Sequence, residues 1–194
     1  MSALPEIQKI MREAEAITRA LADDAALHAR IEEAAEAMCA AFRRGGRALF
    51  CGNGGSAADA QHFAAELTGK FLFDRAPLDA EALHINSSYI TAFANDSSFE
   101  GAYARLVRAK GRAGDVLFAI STSGNSENII LALRAAKELG MRAIALTGAG
   151  GGKAAAYADI LLAAPSSVTP RIQECHVLIG HIICRLVEER ELRL

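Results

Sequence analysis

From residue 47 onward, apolar runs alternate with segments of helical periodicity, and this alternation leaves the chain few possible folds. The runs lie at 47–51, 82–85, 115–120, 142–147 and 159–163. The helical segments fill 56–69, 88–95, 99–109, 126–139 and a short piece near 153–157. A strand that is apolar along its whole length, rather than at every second residue, is covered on both faces. The pattern therefore predicts an α/β fold: a five-stranded parallel sheet flanked by helices on both faces. At 194 residues the chain is expected to form one domain over 1–194 with a substantial core.

Two helices precede the sheet. Ile7, Ile10, Met11, Ala14, Ile17 and Leu21 repeat at helical spacing, and Asp23-Asp24 breaks that helix and caps a second near 25–43. Residues 1–44 read as an N-terminal helical extension packed on the sheet or on a partner chain. The chain closes with a long helix from Pro170 to about Arg193, whose stretch Val177 to Val187 is apolar nearly all round. A helix of that kind is buried on most sides, which here predicts a subunit interface.

Composition excludes several classes of function. With 52% apolar residues, 23% charged residues and a net charge of −2, the sequence suggests neither disorder nor a nucleic-acid surface. No apolar run reaches the roughly 18–20 residues that span a bilayer. The residues Met1-Ser-Ala-Leu-Pro-Glu6 lack the basic and apolar regions of a signal peptide. Cys39, Cys51, Cys175 and Cys184 are scattered in apolar segments without C-x-x-C spacing. They read as reduced, buried thiols of a cytoplasmic protein.

Two loops carry the candidate chemistry. After the first strand, Cys51-Gly-Asn-Gly-Gly-Ser56 leads into an alanine-rich helix. Glycines let backbone N–H groups face a ligand, and the helix N-terminus favours an anion there. His62 and Glu66 stand at i and i+4 of the same helix, hence on one face. The loop also fits the dinucleotide fingerprint G-x-G-x-x-A, but the next apolar run ends in Asn86-Ser-Ser, without the acid that holds a ribose. The second loop, Ser121-Thr-Ser-Gly-Asn-Ser126, also joins a strand to a helix N-terminus and adds hydroxyl groups. It lacks the G-K-[ST] ending of a nucleotide P-loop. Both loops leave carboxyl ends of strands, where open parallel sheets bind ligands. Asn95-Asp96-Ser97 brings polar groups to the same edge. His28 and His84 have no acidic or cysteine neighbour at ligand spacing. On the last helix either His176 or His181 could reach the sheet edge along with Gln173, and spacing does not choose between them.

Together, Cys51-Gly-Asn-Gly-Gly-Ser56, His62-Phe-Ala-Ala-Glu-Leu-Thr-Gly69, Ala94-Asn-Asp96, Ser121-Thr-Ser-Gly-Asn-Ser126, Leu146-Thr-Gly148 and Arg171-Ile-Gln-Glu-x-His176 with His181 resemble the sugar isomerase (SIS) domain family, and within it the phosphoheptose isomerases. The resemblance spans essentially the whole chain. It implies conversion of D-sedoheptulose 7-phosphate to D-glycero-D-manno-heptose 7-phosphate, the first step towards ADP- or GDP-heptose and the heptose of lipopolysaccharide. It also implies a homotetramer with active sites at subunit interfaces and one zinc ion per subunit. By position it assigns Asn53, Gly54, Gly55, Ser56, Glu66, Asn95, Asp96, Ser121, Thr122, Ser123, Ser126 and Gln173 to substrate binding. His62, Glu66, Gln173 and His181 become metal ligands, Glu66 and His181 the catalytic pair, and His176 a structural residue. Some relatives carry an Asp before Arg-Ile-Gln where this chain has Pro170, so no sugar-hydroxyl contact is assigned there.

Moving a proton between C1 and C2 through an enediolate needs a base at carbon, an acid at oxygen and a group that holds developing negative charge. Glu66, in an apolar helix that would raise its pKa, suits the base, and His181 suits the acid. The competing class is a non-catalytic SIS protein serving as a sugar-phosphate sensor or a replication-initiator-associated adaptor. Relatives of that class lack the acid and the final histidine, and this chain keeps both. Eight residues separate Gln173 from His181, about 12 Å of helix. One straight helix cannot comfortably offer both to one ion, so the helix bends near Gly180 or the site is shared between chains.

Overall fold

A computed structural model describes residues 3–191. The elements are α1 (Leu4–Asp23), α2 (Ala25–Arg43), β1 (Ala48–Gly52), α3 (Gly55–Thr68), β2 (Ala80–Ala82), α4 (Ser87–Asp96), α5 (Ala102–Lys110), β3 (Val116–Ser121), α6 (Glu127–Glu138), β4 (Arg142–Thr147), β5 (Ile160–Ala163) and α7 (Thr169–Glu191). Short 3-10 turns at Leu83–Ile85 and Gly152–Ala156 complete the connections. The five strands are all parallel, in the order β2-β1-β3-β4-β5.

Alternate strand residues feed two cores, as the pleat requires. Phe50, Phe118, Ile120, Ile144, Leu146 and Leu162 face the layer of α2, α3 and α7. Leu49, Cys51, Leu117, Ala119, Ala143 and Ala145 face α5 and α6. The sheet is covered on both sides, as the continuous apolar strands predict. All four cysteines are buried and free.

The two leading helices differ in role. Asp24 caps α2 by accepting from Leu27 N, and α2 buries Leu27, Ile31, Ala34, Ala35, Met38, Cys39 and Ala41 in the core layer. In α1 only Leu21 is buried, while Leu4, Ile7, Ile10 and Met11 lie exposed. So α2 is part of the sheet's covering layer and α1 alone projects as an extension. Strand β2 also departs from expectation, pairing Ala80–Ala82 with Ala48–Phe50 while Leu83–Ile85 turns away. Glu81 spoils the apolar signal of this edge strand because its carboxylate meets Lys110 Nζ at 2.8 Å.

The strand order places the site. β1 is followed in sequence by β2 on one side and β3 on the other, so chain direction across the sheet reverses between β1 and β3. Gly52 pairs with Ile120, which sets the β1 and β3 exits side by side. Ligands of open parallel sheets bind at such a switch point.

Candidate active site

Two helix N-termini meet at this switch point without side-chain caps. Gly54 precedes α3 with φ +54°, a backbone that L side chains rarely adopt, and offers no capping group. Ser126 precedes α6, but its Oγ lies 3.1 Å from Ser121 Oγ instead of bonding its own helix. The first backbone N–H groups of both helices are therefore free of side-chain caps and favour an anion. Ser121 is buried, Thr122 and Ser126 are half-buried and Ser123 is exposed. Ser123 Oγ accepts from Asn125 N, and Asn125 Oδ1 accepts from Lys153 N, which shapes the rest of the loop.

The loops are fastened to each other by a pair the sequence reading missed. Asn53 Nδ2 donates to Asn128 Oδ1 at 2.9 Å, and Asn128 Nδ2 donates back to Asn53 Oδ1 at 2.8 Å. Asn128 lies two residues past the serine motif, so a capping position was its only signal. From below, the buried Tyr103 donates to Gly52 O at 2.6 Å.

Deeper along α3 stand His62 and Glu66, with His62 Nε2 3.1 Å from Glu66 Oε1. His181 of α7 brings its Nε2 to 3.4 Å from His62 Nε2, and the two rings meet edge to face. One ligand atom from each of these three residues lies within 4.8 Å of the others. A neutral imidazole nitrogen is either donor or acceptor, so His62 Nε2 cannot hydrogen-bond to Glu66 and also receive from His181. Two imidazoles and a carboxylate this close together suit a cation. Nitrogen ligands about 2.05 Å from a tetrahedral zinc lie about 3.3 Å apart, close to the His–His spacing here. The residues present therefore fit such an ion.

The other expected residues are placed as follows. Helix α7 runs unbroken over Thr169–Glu191. Within it Gly180 makes room for Phe63, since a Cβ there would collide with that ring. Gln173 lies beside Gly55 at the start of α3, where a Cβ on the glycine would strike Nε2. Within one protomer Gln173 thus stands at the glycine loop, two turns from the histidine–glutamate trio. Asn95 Nδ2 donates to Asp96 Oδ1 at the exposed end of α4, and no contact joins this pair to the trio among the described residues. His176 is fully buried, with Nε2 3.0 Å from Thr147 O, and burial lowers its pKa to about 4 despite that bond. It lies in the core, apart from the trio. Asp59, one turn before His62, was missed by the sequence reading: its Oδ2 is buried without a hydrogen-bond partner. Burial raises its pKa, and the nearby His62 opposes the rise.

Comparison with known proteins gives the family. Residues 8–148 match the SIS domain family. The phosphoheptose isomerase of Rhodospirillum rubrum is 54% identical over 159 residues, covering 82% of this chain and 85% of that protein. This chain belongs to the phosphoheptose isomerase family. The Mycobacterium tuberculosis phosphoheptose isomerase is 48% identical over 181 residues, 93% of this chain and 92% of that one. The fold agrees as well. The phosphoheptose isomerase structure from Neisseria gonorrhoeae superposes with a TM-score of 0.91 at 43% identity, covering 97% of this chain and all of the other. As a member of that family the chain is an isomerase enzyme.

Proposed function

We propose that this chain interconverts D-sedoheptulose 7-phosphate and D-glycero-D-manno-heptose 7-phosphate, supplying the first step of ADP- or GDP-heptose synthesis. The observation that carries the reading is an uncapped anion cradle at the β1–β3 switch point with the His62–Glu66–His181 trio two turns along α3 from it. The phosphate lies on the α6 N-terminus with Ser121, Thr122, Ser123 and Ser126. The glycine loop of Asn53, Gly54, Gly55 and Ser56, together with Gln173, lines the sugar. Glu66 removes the proton from one carbon and returns it to the next, while His181 protonates and deprotonates the oxygens.

A zinc ion held by His62, Glu66 and His181 would act as a Lewis acid that polarises the carbonyl. The apolar face of α1, with Leu178 and Ile182 exposed on α7, supports a homotetramer, because such a stripe is normally covered. Asn95 and Asp96 at the exposed end of α4, and Gln173 at some distance from the trio, would complete sites at subunit contacts. No helix among the described residues is long and apolar enough to cross a membrane. With four reduced thiols this supports a cytoplasmic enzyme. The test is to incubate the protein with sedoheptulose 7-phosphate and a panel of pentose and hexose phosphates, and to follow products by chromatography. Turnover of the heptulose phosphate above the others is expected. Binding without turnover would identify a sugar-phosphate sensor or adaptor instead.

A further inference from the structure

The segment between α3 and β2 is held by a buried ion pair that the reaction itself does not use. Glu188, fully buried on α7, accepts from three consecutive backbone N–H groups: Phe71 at 3.0 Å, Leu72 at 2.7 Å and Phe73 at 3.1 Å. Arg75, its side chain 4% exposed, stands with Nε 3.3 Å from the same carboxylate. Burial alone would raise the pKa of Glu188, but the three donors and the arginine hold it below the ordinary value. The guanidinium turns its other face to the end of α3. It donates to Glu66 O and Leu67 O at 2.8 Å and to Gly69 O at 3.4 Å, carbonyls that a helix terminus leaves without intrahelical partners.

One salt bridge therefore joins the two helices that carry the trio, since Arg75 caps α3 at Glu66 and Glu188 belongs to α7. Glu188 is seven residues beyond His181. Seven residues turn through about 700°, so the two side chains share a face of α7. Between them the segment lays Phe71 on His181, with ring centroids 5.3 Å apart and planes at 27°. His62 meets the edge of the same imidazole and Phe71 covers a face, so the ring is held between them.

We propose that residues 69–76 form a positioning brace in which the Glu188–Arg75 pair fixes α7 against the end of α3 and seats Phe71 on His181, setting the spacing of Glu66 and His181. This rests on reading Glu66 and His181 as the acid–base pair. Phe71, Arg75 and Glu188 touch no reacting atom and act through the groups they hold. The brace also explains why an ionised pair persists in the core, where an apolar substitute is often no less stable. An apolar pair would not collect three N–H groups and three helix-end carbonyls around one contact.

The test compares full-length Phe71→Leu, Phe71→Tyr and Glu188→Gln with wild type. It measures kcat and KM for sedoheptulose 7-phosphate and the affinity of chelator-stripped protein for Zn2+, read by competition with a chelating dye. Phe71→Leu should fold and keep KM within about twofold, because the phosphate loop is untouched. Its kcat should fall roughly ten- to a hundredfold, as expected when catalytic groups lose their alignment. Zn2+ affinity should fall by about tenfold. Phe71→Tyr, which keeps the ring, should restore both, and Glu188→Gln should show the larger loss. If Glu188→Gln does not fold, the Phe71 pair decides. Wild-type kcat and Zn2+ affinity in Phe71→Leu, or a Tyr variant as impaired as the Leu variant, would overturn the brace. A wild type that binds Zn2+ without turning over the heptulose phosphate refutes the functional reading, and Zn2+ affinity then decides the brace. A wild type that does neither overturns both.

Discussion

At Glu66 the site asks one carboxylate to do two things that oppose each other. Its Oε1 lies 3.1 Å from His62 Nε2, where a bound cation would draw electron density from it, yet the chemistry needs it as a base. Only Oε1 is committed to the histidine, which leaves Oε2 placed to take a proton, although a cation at Oε1 would lower the basicity of the whole delocalised carboxylate. Glu66→Gln keeps shape and hydrogen bonding but removes the base. Its turnover should fall by about 10² to 10⁴ with the fold unchanged by circular dichroism. A purified variant with most of its activity would remove Glu66 from that role. The His62/Glu66 pair was legible in the sequence because an i, i+4 spacing needs only one helix to become a contact. His181 was legible only through family resemblance, since spacing did not separate it from His176. What separates them is depth: His176 is wholly buried against Thr147 O, while His181 faces the trio. Asn128, Asp59 and the Glu188–Arg75 pair were not legible, because their roles depend on contacts 75 to 117 residues away or on burial that no local pattern encodes.

Helices α3 and α7 make the site by lying close enough for His62 to meet His181, and Gly180 sets that approach. The sequence offered two ways to bring Gln173 and His181 to one ion, a bend near Gly180 or a site shared between chains. The structure uses Gly180 as a recess for the Phe63 ring within a continuous helix. Two principles give opposite signs for Gly180→Ala. Helix propensity alone favours alanine over an interior glycine by about 1 kcal/mol. A methyl group driven into the Phe63 ring costs about 1–3 kcal/mol by overpacking and pushes α7 away from α3. Packing should win, because Phe63 is itself buried against Phe118 and has little space to retreat. The variant should be less stable to urea and lose activity, and adding Phe63→Leu should restore part of both. Equal or greater stability with full activity would show that the helices are not spaced by this contact. At this scale most of the fold was legible, since long periodic helices and apolar strands declare themselves. Strand β2 was misplaced because a three-residue edge strand containing Glu81 carries almost no pattern.

Over the whole molecule, the buried imidazole of His176 ties stability to pH. It bridges α7 to the end of β4, with no solvent contact and a Thr147 carbonyl as its hydrogen-bond partner. Burial disfavours the charged form and lowers the pKa from an ordinary 6.5 to about 4, although the carbonyl works the other way. With the folded pKa depressed, the unfolded chain binds this proton first as pH falls. The contribution is therefore intact above about pH 6.5 and is lost progressively between there and about pH 4. A gap of this size corresponds to about 3.5 kcal/mol, taking about 1.4 kcal/mol per unit. His176→Gln keeps a donor for the Thr147 carbonyl and removes the titration, so it serves as the reference. Carboxylates such as Glu188 also lose stability in acid, but they do so in both proteins and cancel in the comparison. Urea unfolding at fixed protein concentration, so that assembly does not vary, should show the wild type losing about 2–3 kcal/mol more than His176→Gln between pH 7 and pH 4.5. Parallel stability curves for the two proteins across that range would mean that His176 takes up its proton in the folded state as readily as in the unfolded chain, and that the α7–β4 contact is not what acid breaks.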